Sequence, residues 1–358
     1  QAMAYSLYTA FRLCHSEYVV QGFLVTSLEG NPRNLDGIEV KELASFAEEL
    51  REEDRKAITI FAAVPQNQLS QVEKNGKMWG FGEWISVDSR QFAAYMEDYF
   101  RKKQEILLLK DLKAGRKQTP LTVYAVRSAK DQVLSHQTMP EEWIYEILAG
   151  SALTVFDNRT PALEDTAINN RPFFYDNTGE NISERNQNYC ELTALYWIWK
   201  QELSKRDGYI GLFHYRRYLE ISKQGRYALE ENGIDAILPY PMLFYPNISI
   251  HHRRYVTEED WRAMRRALQE IHPEYEKALP EIFSQPYFYN YNILIARKKI
   301  LEEYCSWLFP VLQRTEELSI PKGRERGDRY IGYLGENLLT LYFLFNKSKL
   351  KIVHTGLR

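Results

Sequence analysis

Residues 171–219 read RPFFYDNTGENISERNQNYCELTALYWIWKQELSKRDGYIGLFHYRRYL: a polar loop, an aromatic helix, a short apolar strand and a basic turn in one run. The loop Asp176-Asn177-Thr178-Gly179-Glu180-Asn181 is dense in residues that favour turns over regular structure. Asn188 lies three residues before Glu191, a capping-box spacing that predicts a helix start. Leu192, Leu195, Tyr196, Trp199 and Leu203 then fall at i, i+3, i+4, i+7 and i+11, one apolar helix face. Asp207-Gly208 ends that helix, and Tyr209-Ile210-Gly211-Leu212-Phe213 reads as a buried strand. His214-Tyr215-Arg216-Arg217 comes directly off its end. Ligands of open α/β sheets bind beyond the carboxyl ends of strands. A histidine and two arginines at such a place predict a seat for an anionic ligand.

On the N-terminal side the pattern alternates. Residues 1–14 read as a helix, Tyr18 to Val25 as a strand, Ile38 to Leu43 as the lead into an acidic helix through residue 54, and Ala57 to Val64 as a second strand. Helices are expected at 66–75 and 89–113. Alternating apolar strands and helices imply a parallel sheet of Rossmann type, but the glycine-rich turn of a dinucleotide site is missing. Residues 1–113 therefore read as a reduced or truncated Rossmann-like module, regulatory in role. Residues 114–120 (AGRKQTP) are a polar linker with breakers, and Leu121 to Val126 opens a second α/β domain, 121–358.

The chain has 358 residues, enough for two domains, and a formal charge of −2, which lacks the basic surplus of a nucleic-acid binder. Cys14, Cys190 and Cys305 are far apart and give neither a disulfide framework nor a zinc motif, which fits a reducing cytoplasm. No apolar run has the length of a membrane span and no leader is visible, so any membrane association is expected to be peripheral, at the inner face. The 25 tyrosines suit sugar stacking, although such rings serve first in packing. His251-His252-Arg253-Arg254 is a second basic cluster. No carboxylate motif beside it supports a metal.

Three blocks in the central stretch, DNTGENIS, CELTALYWIWK and YIGLFHYRR, resemble the DUF4422 family of bacterial proteins, whose hallmark is D-x-T-G-[DE]-N-I-S, C-E-L-T-x-x-Y-W-x-W-K and Y-[IV]-G-L-x-H-Y-R-R in that order. VYAVRSAKD at 123–131, the aromatic run around Asn292 and Glu303 to Pro310 resemble further blocks of the family. Glu336 matches the family's E-R pair, whereas Asn337 stands where the family has Arg. The resemblance implies a GT-A-type glycosyltransferase of capsule or other surface polysaccharides. In that fold the first strand's end meets the nucleotide, which makes Arg127, Lys130 and Asp131 donor-side candidates; a solvated loop is the alternative. Asn177, Asn181 and Asn292 are candidates for sugar hydroxyls. Asn292 could equally be a backbone-bonded structural amide.

Sugar transfer needs a stabilised leaving diphosphate, a base for the acceptor hydroxyl and a sugar held in register. GT-A enzymes commonly use a D-x-D motif with Mn²⁺ or Mg²⁺, and this chain has no D-x-D. His214, Arg216 and Arg217 stand where it would fall, and arginine forks bind phosphate oxygens in pairs. A divalent cation is thus not required by any motif. Glu336 is the first candidate base, although a helix N-terminus would lower its pKa. Asp176 is the second carboxylate candidate, and Glu191 reads as a cap. The expectation is a hexosyltransferase, with galactose in pyranose or furanose form as one candidate sugar. It would use a nucleotide sugar, UDP-hexose foremost, and a glycan or lipid-linked acceptor. The alternatives are a glycan-binding assembly protein without catalysis and a sugar-phosphate transferase.

Overall fold

A computed structural model describes residues 2–64, 66–131, 141–154, 172–322 and 325–358. Arg171, Arg324 and part of the 140–170 approach lie outside those residues. The fold is mixed α/β, built on one large sheet. In the N-terminal part α1 (Ala2–Cys14) precedes β1 (Phe23–Val25), β2 (Asn34–Leu35), β3 (Ile38–Glu42), α2 (Leu43–Glu49) and α3 (Glu52–Lys56). Then come β4 (Thr59–Ala62), α4 (Gln66–Met78), β5 (Glu83–Ser86), α5 (Ser89–Lys103) and β6 (Leu107–Leu108). The single parallel sheet expected here is instead two small ones, β1-β3-β2 and β4-β5. The helix expected through residue 113 stops at Lys103. Asp88 and Gln91 form its capping box, Gln104 closes it at φ 56°, and the chain turns back to give β6 to the large sheet.

That sheet takes its other strands from β7 (Leu121–Arg127), β8 (Ile144–Leu148), β9 (Phe173–Tyr175), β10 (Tyr209–His214), β11 (Ala236–Pro239), β14 (Leu294–Arg297) and β15 (Ile352–Thr355). Its order is β6-β15-β11-β14-β10-β7-β8-β9, with every neighbour pair parallel except the two made by β14. Every residue of β7 is buried, as expected of a strand covered on both faces. Successive side chains point to opposite sides. Tyr124, Val126, Ile210 and Leu212 thus enter one core, and Val123, Ala125, Tyr209 and Phe213 the other.

The first core is closed by α6 (Asn186–Tyr189), α7 (Leu192–Trp197), α9 (Glu258–Ile271), α10 (Pro273–Ile282), α11 (Lys298–Leu318) and α12 (Tyr330–Phe345). On the other side lies α8 (Lys223–Glu231), and β12 (Met242–Leu243) pairs with β13 (Tyr287–Phe288) as a short ribbon. Thr257 caps α9 as its sequence predicts, its hydroxyl accepting from Asp260 N at 3.2 Å. Each fully buried leucine contributes about 2 kcal/mol by leaving water.

Two local readings change in ways that shape the site. The capping box Asn188–Glu191 does not form. Asn188 Nδ2 donates to Arg326 O and its Oδ1 accepts from Asp328 N, while Cys190 breaks the helix at φ 52°. The aromatic run at 287–296 is likewise not one strand. Tyr291 and Asn292 are left-handed, φ 71° and 50°, and separate β13 from β14.

Candidate functional site

The basic residues of the candidate site stand at the carboxyl edge of β10. His214 closes the strand, and His214 N donates to Arg217 O at 3.0 Å while Arg217 N donates to His214 O at 3.1 Å. This tight turn has Tyr215 and Arg216 at its tip and is held by backbone alone. Arg216 is exposed and Arg217 partly buried, and neither has a carboxylate within ion-pair distance among the described residues. Arg217 lies over the Tyr291 ring, 4.0 Å from its centroid.

Opposite the turn, α12 delivers Gly332, Tyr333 and Glu336 to a small pocket that Cys190, Glu191 and Arg329 complete. Close approach requires the helix glycines. A Cβ on Gly332 would sit 3.1 Å from Cys190 Sγ, and one on Gly335 would meet Leu192 at 2.6 Å and Asn292 Oδ1 at 3.2 Å. Cys190, Tyr291, Asn292 and Arg329 all have positive φ, and backbone strain of this kind concentrates at functional sites.

Glu336 is partly buried on the second turn of α12, too far along the helix for its N-terminal dipole to dominate. Burial, reinforced by the charge of Glu191, pushes its pKa up to about 8, against the pull of the Tyr291 backbone, Arg217 and Arg329. The lowering expected from the dipole is thereby corrected. His214 hydrogen-bonds the Tyr291 backbone, and its buried Nε2, 3.8 Å from Glu191 Oε1, has no hydrogen-bond partner. Burial lowers its pKa, with Arg217 adding to the effect, so the neutral ring prevails at pH 7. His214 therefore does not carry the positive charge expected of it.

Several expected ligand residues have structural partners. Asp176 is fully buried, and its carboxyl oxygens accept from Gly150 N (2.9 Å), Ser151 N (3.0 Å), Ser151 Oγ (2.6 Å) and Ser183 Oγ (2.5 Å). It is a hub for the loops, with no face left for a sugar or a metal. Asp176→Ala orphans these donors and is expected to destabilise the fold by about 3 kcal/mol, read as a lower denaturant midpoint. Arg127 is buried in an ion pair with Glu146 under the Phe173 ring, which removes it from the donor candidates. Asp131 is occupied by Ser128 N and the Tyr215 hydroxyl, and Lys130 is exposed. Asn181 bonds Gly179 O and Ser183 N within its own loop, and Asn177 is exposed away from the pocket lining.

Asn292 is the structural amide of its two readings. It is fully buried and donates to Glu191 Oε1 (2.7 Å) and Gly332 O (3.1 Å), so it orients Glu191 and contacts no open space. Glu191 is no cap but a wall of the pocket. Arg329 donates to Cys190 Sγ at 3.2 Å and, among the described residues, has no carboxylate within ion-pair distance. Sequence reasoning passed over Arg329 and Tyr333 and read Glu191 as a helix cap, although Glu191 stands inside the CELTALYWIWK block and Tyr333 three residues before Glu336. Among the described residues no three His, Cys, Asp or Glu side chains are placed to hold a metal ion. No helix among the described residues is long and apolar enough to cross a membrane.

The basic turn after β10 stands at the carboxyl end of a strand, where open α/β sheets bind ligands. The chain belongs to the DUF4422 family, described as a domain of unknown function, which matches residues 136–347 and so holds every pocket residue. A solved structure of WbbM, a bifunctional glycosyltransferase in apo form, shares the fold. Its TM-score is 0.53 at 24% identity, over 66% of this chain and 45% of that one. The chain thus spans less than half the length of WbbM. The mannosyltransferase Ktr4p from S. cerevisiae aligns more distantly, with TM-score 0.33, 15% identity, and 70% and 76% of the two chains covered. No curated protein matches the sequence.

Proposed function

We propose that the protein is a GT-A-like glycosyltransferase that moves a hexose from a nucleotide diphosphate sugar to a surface-polysaccharide acceptor. The candidate sugar is galactose, as pyranose or furanose, with UDP as the nucleotide. The observation that carries this reading is Glu336, its pKa raised to about 8, in a pocket it shares with Arg329 and near enough to Arg217, on the turn after β10, for that charge to act on it. The fold shared with a glycosyltransferase supports it. Arg216 and Arg217 neutralise the diphosphate as the bond to the sugar carbon breaks and the electron pair leaves with the phosphate oxygen. Glu336 takes the proton of the acceptor hydroxyl, whose oxygen forms the new bond to that carbon.

In this reading residues 121–358 form the body of the transferase domain, 1–113 an N-terminal module that lends β6 to its sheet and is joined through 114–120, and the enzyme works at the cytoplasmic face of the membrane on a glycan or lipid-linked acceptor. Calorimetric titration with a panel of nucleotide sugars, in Mn²⁺ and again in EDTA, tests it. One UDP-hexose is expected to bind with affinity that survives EDTA. Loss of binding in EDTA would assign the diphosphate charge to a metal, and absence of binding in both would favour a glycan-binding protein without catalysis.

A further inference from the structure

Tyr255 and Tyr333 form an aromatic step at the pocket mouth that the donor chemistry leaves unused. Their rings stack at 4.7 Å between centroids with planes 21° apart. Tyr333 lines the pocket and is one helical turn from Glu336 on α12, so the two side chains share a face. Tyr255 is 43% exposed, and its hydroxyl lies close enough to Glu336 to feel that carboxyl's charge.

The step is rigid from below. Tyr255 N donates to His252 O at 2.9 Å, closing the short 3₁₀ turn His251–Arg254. His252 is clamped by stacking on Trp261 at 3.9 Å, and the His251 ring meets Tyr255 edge-on at 5.6 Å. Arg254 is exposed beside the ring, 5.9 Å from its centroid, and no carboxylate lies within ion-pair distance of it among the described residues.

A preorganised ring with an open surface, a polar rim and a carboxylate below offers what a saccharide uses. The C–H face of the sugar covers the ring, and its hydroxyls meet the arginine and the carboxylate. We infer that Tyr255, seated on Tyr333, is the acceptor platform: a saccharide stacks on Tyr255 and presents one hydroxyl to Glu336. This rests on the glycosyltransferase reading and adds to it the place and chemical class of the acceptor.

The test uses the full chain, UDP-galactose and UDP-glucose as donors, and p-nitrophenyl glycosides of galactose, glucose and mannose as acceptors. Tyr255→Ala is expected to raise the acceptor KM about tenfold, with donor affinity and acceptor-free donor hydrolysis at the parent level. Tyr255→Phe, which keeps the ring, is expected to retain the parent KM. An unchanged acceptor KM in Tyr255→Ala alongside normal donor binding overturns the platform alone, as does failure of every glycoside to act on a parent that binds donor. Absence of donor binding in the parent overturns the platform and the transferase reading together.

Discussion

Glu336→Gln slows sugar transfer by about a hundredfold to ten-thousandfold while leaving nucleotide-sugar affinity near the parent value. Gln keeps the shape and the chance to accept from the Tyr291 backbone but cannot take a proton. Single-turnover transfer, with calorimetry for binding, checks the split; transfer at the parent rate removes Glu336 as the base. The pH profile gives a second readout. With its pKa raised to about 8, the base is mostly protonated at pH 7, so kcat/KM climbs through pH 8 and levels above it. Glu191 is the charge that adds to burial in raising that value, so Glu191→Gln moves the climb to lower pH. The groups facing Glu336 are Glu191, Cys190, Arg217, Arg329, Tyr255 and the Tyr291 backbone. Stability carries the same signature. The folded carboxyl titrates near 8 and the unfolded one near 4.5, so between these values the folded state binds more protons and parent stability declines as pH rises. Glu336→Gln lacks that part of the decline and gains relative to the parent at pH 9.

Much of the scaffold was legible because its signals are local. The unbroken apolar run at 209–213 predicted β10, and Thr257 announced α9. The interior of the pocket was not, because its contacts are remote in sequence. Asn292 meets Glu191 across 101 positions, and Arg329 meets Cys190 across 139. Spacing rules see neither pair, so Glu191 read as a helix cap and Asn292 was left between sugar ligand and structural amide. Asp176 failed for a related reason: a polar loop residue looks exposed until the loops of Gly150 and Ser183 close over it. The sign for Glu336 inverted because a local dipole argument competes with burial and a neighbouring carboxylate, and in a tight pocket those two prevail. The two small N-terminal sheets show the same limit, since alternation predicts strands but not which strands pair.

Arg217→Ala is expected to weaken binding of the nucleotide sugar about tenfold to a hundredfold, the worth of a charge-assisted hydrogen bond to phosphate. The fold should tolerate it. The His214–Arg217 turn is closed by its own backbone bonds, and the side chain's contact with Tyr291 is worth about 1 kcal/mol at most on a partly exposed surface. Arg216→Ala should cost less, since an exposed charge is screened by salt. Arg217→Lys restores the charge but not the planar fork, so it is expected to recover affinity only in part. Isothermal titration at two salt concentrations separates these cases; parent affinity in both alanine variants would move the diphosphate seat to Arg329. Arg217 also lowers the pKa of Glu336, so its loss should shift the rise of kcat/KM to higher pH, opposite to Glu191→Gln. A donor seat remote from the base would show the affinity loss without that shift. Opposite displacements of one pH limb by Arg217 and Glu191 would place the diphosphate cation and the base in a single electrostatic unit.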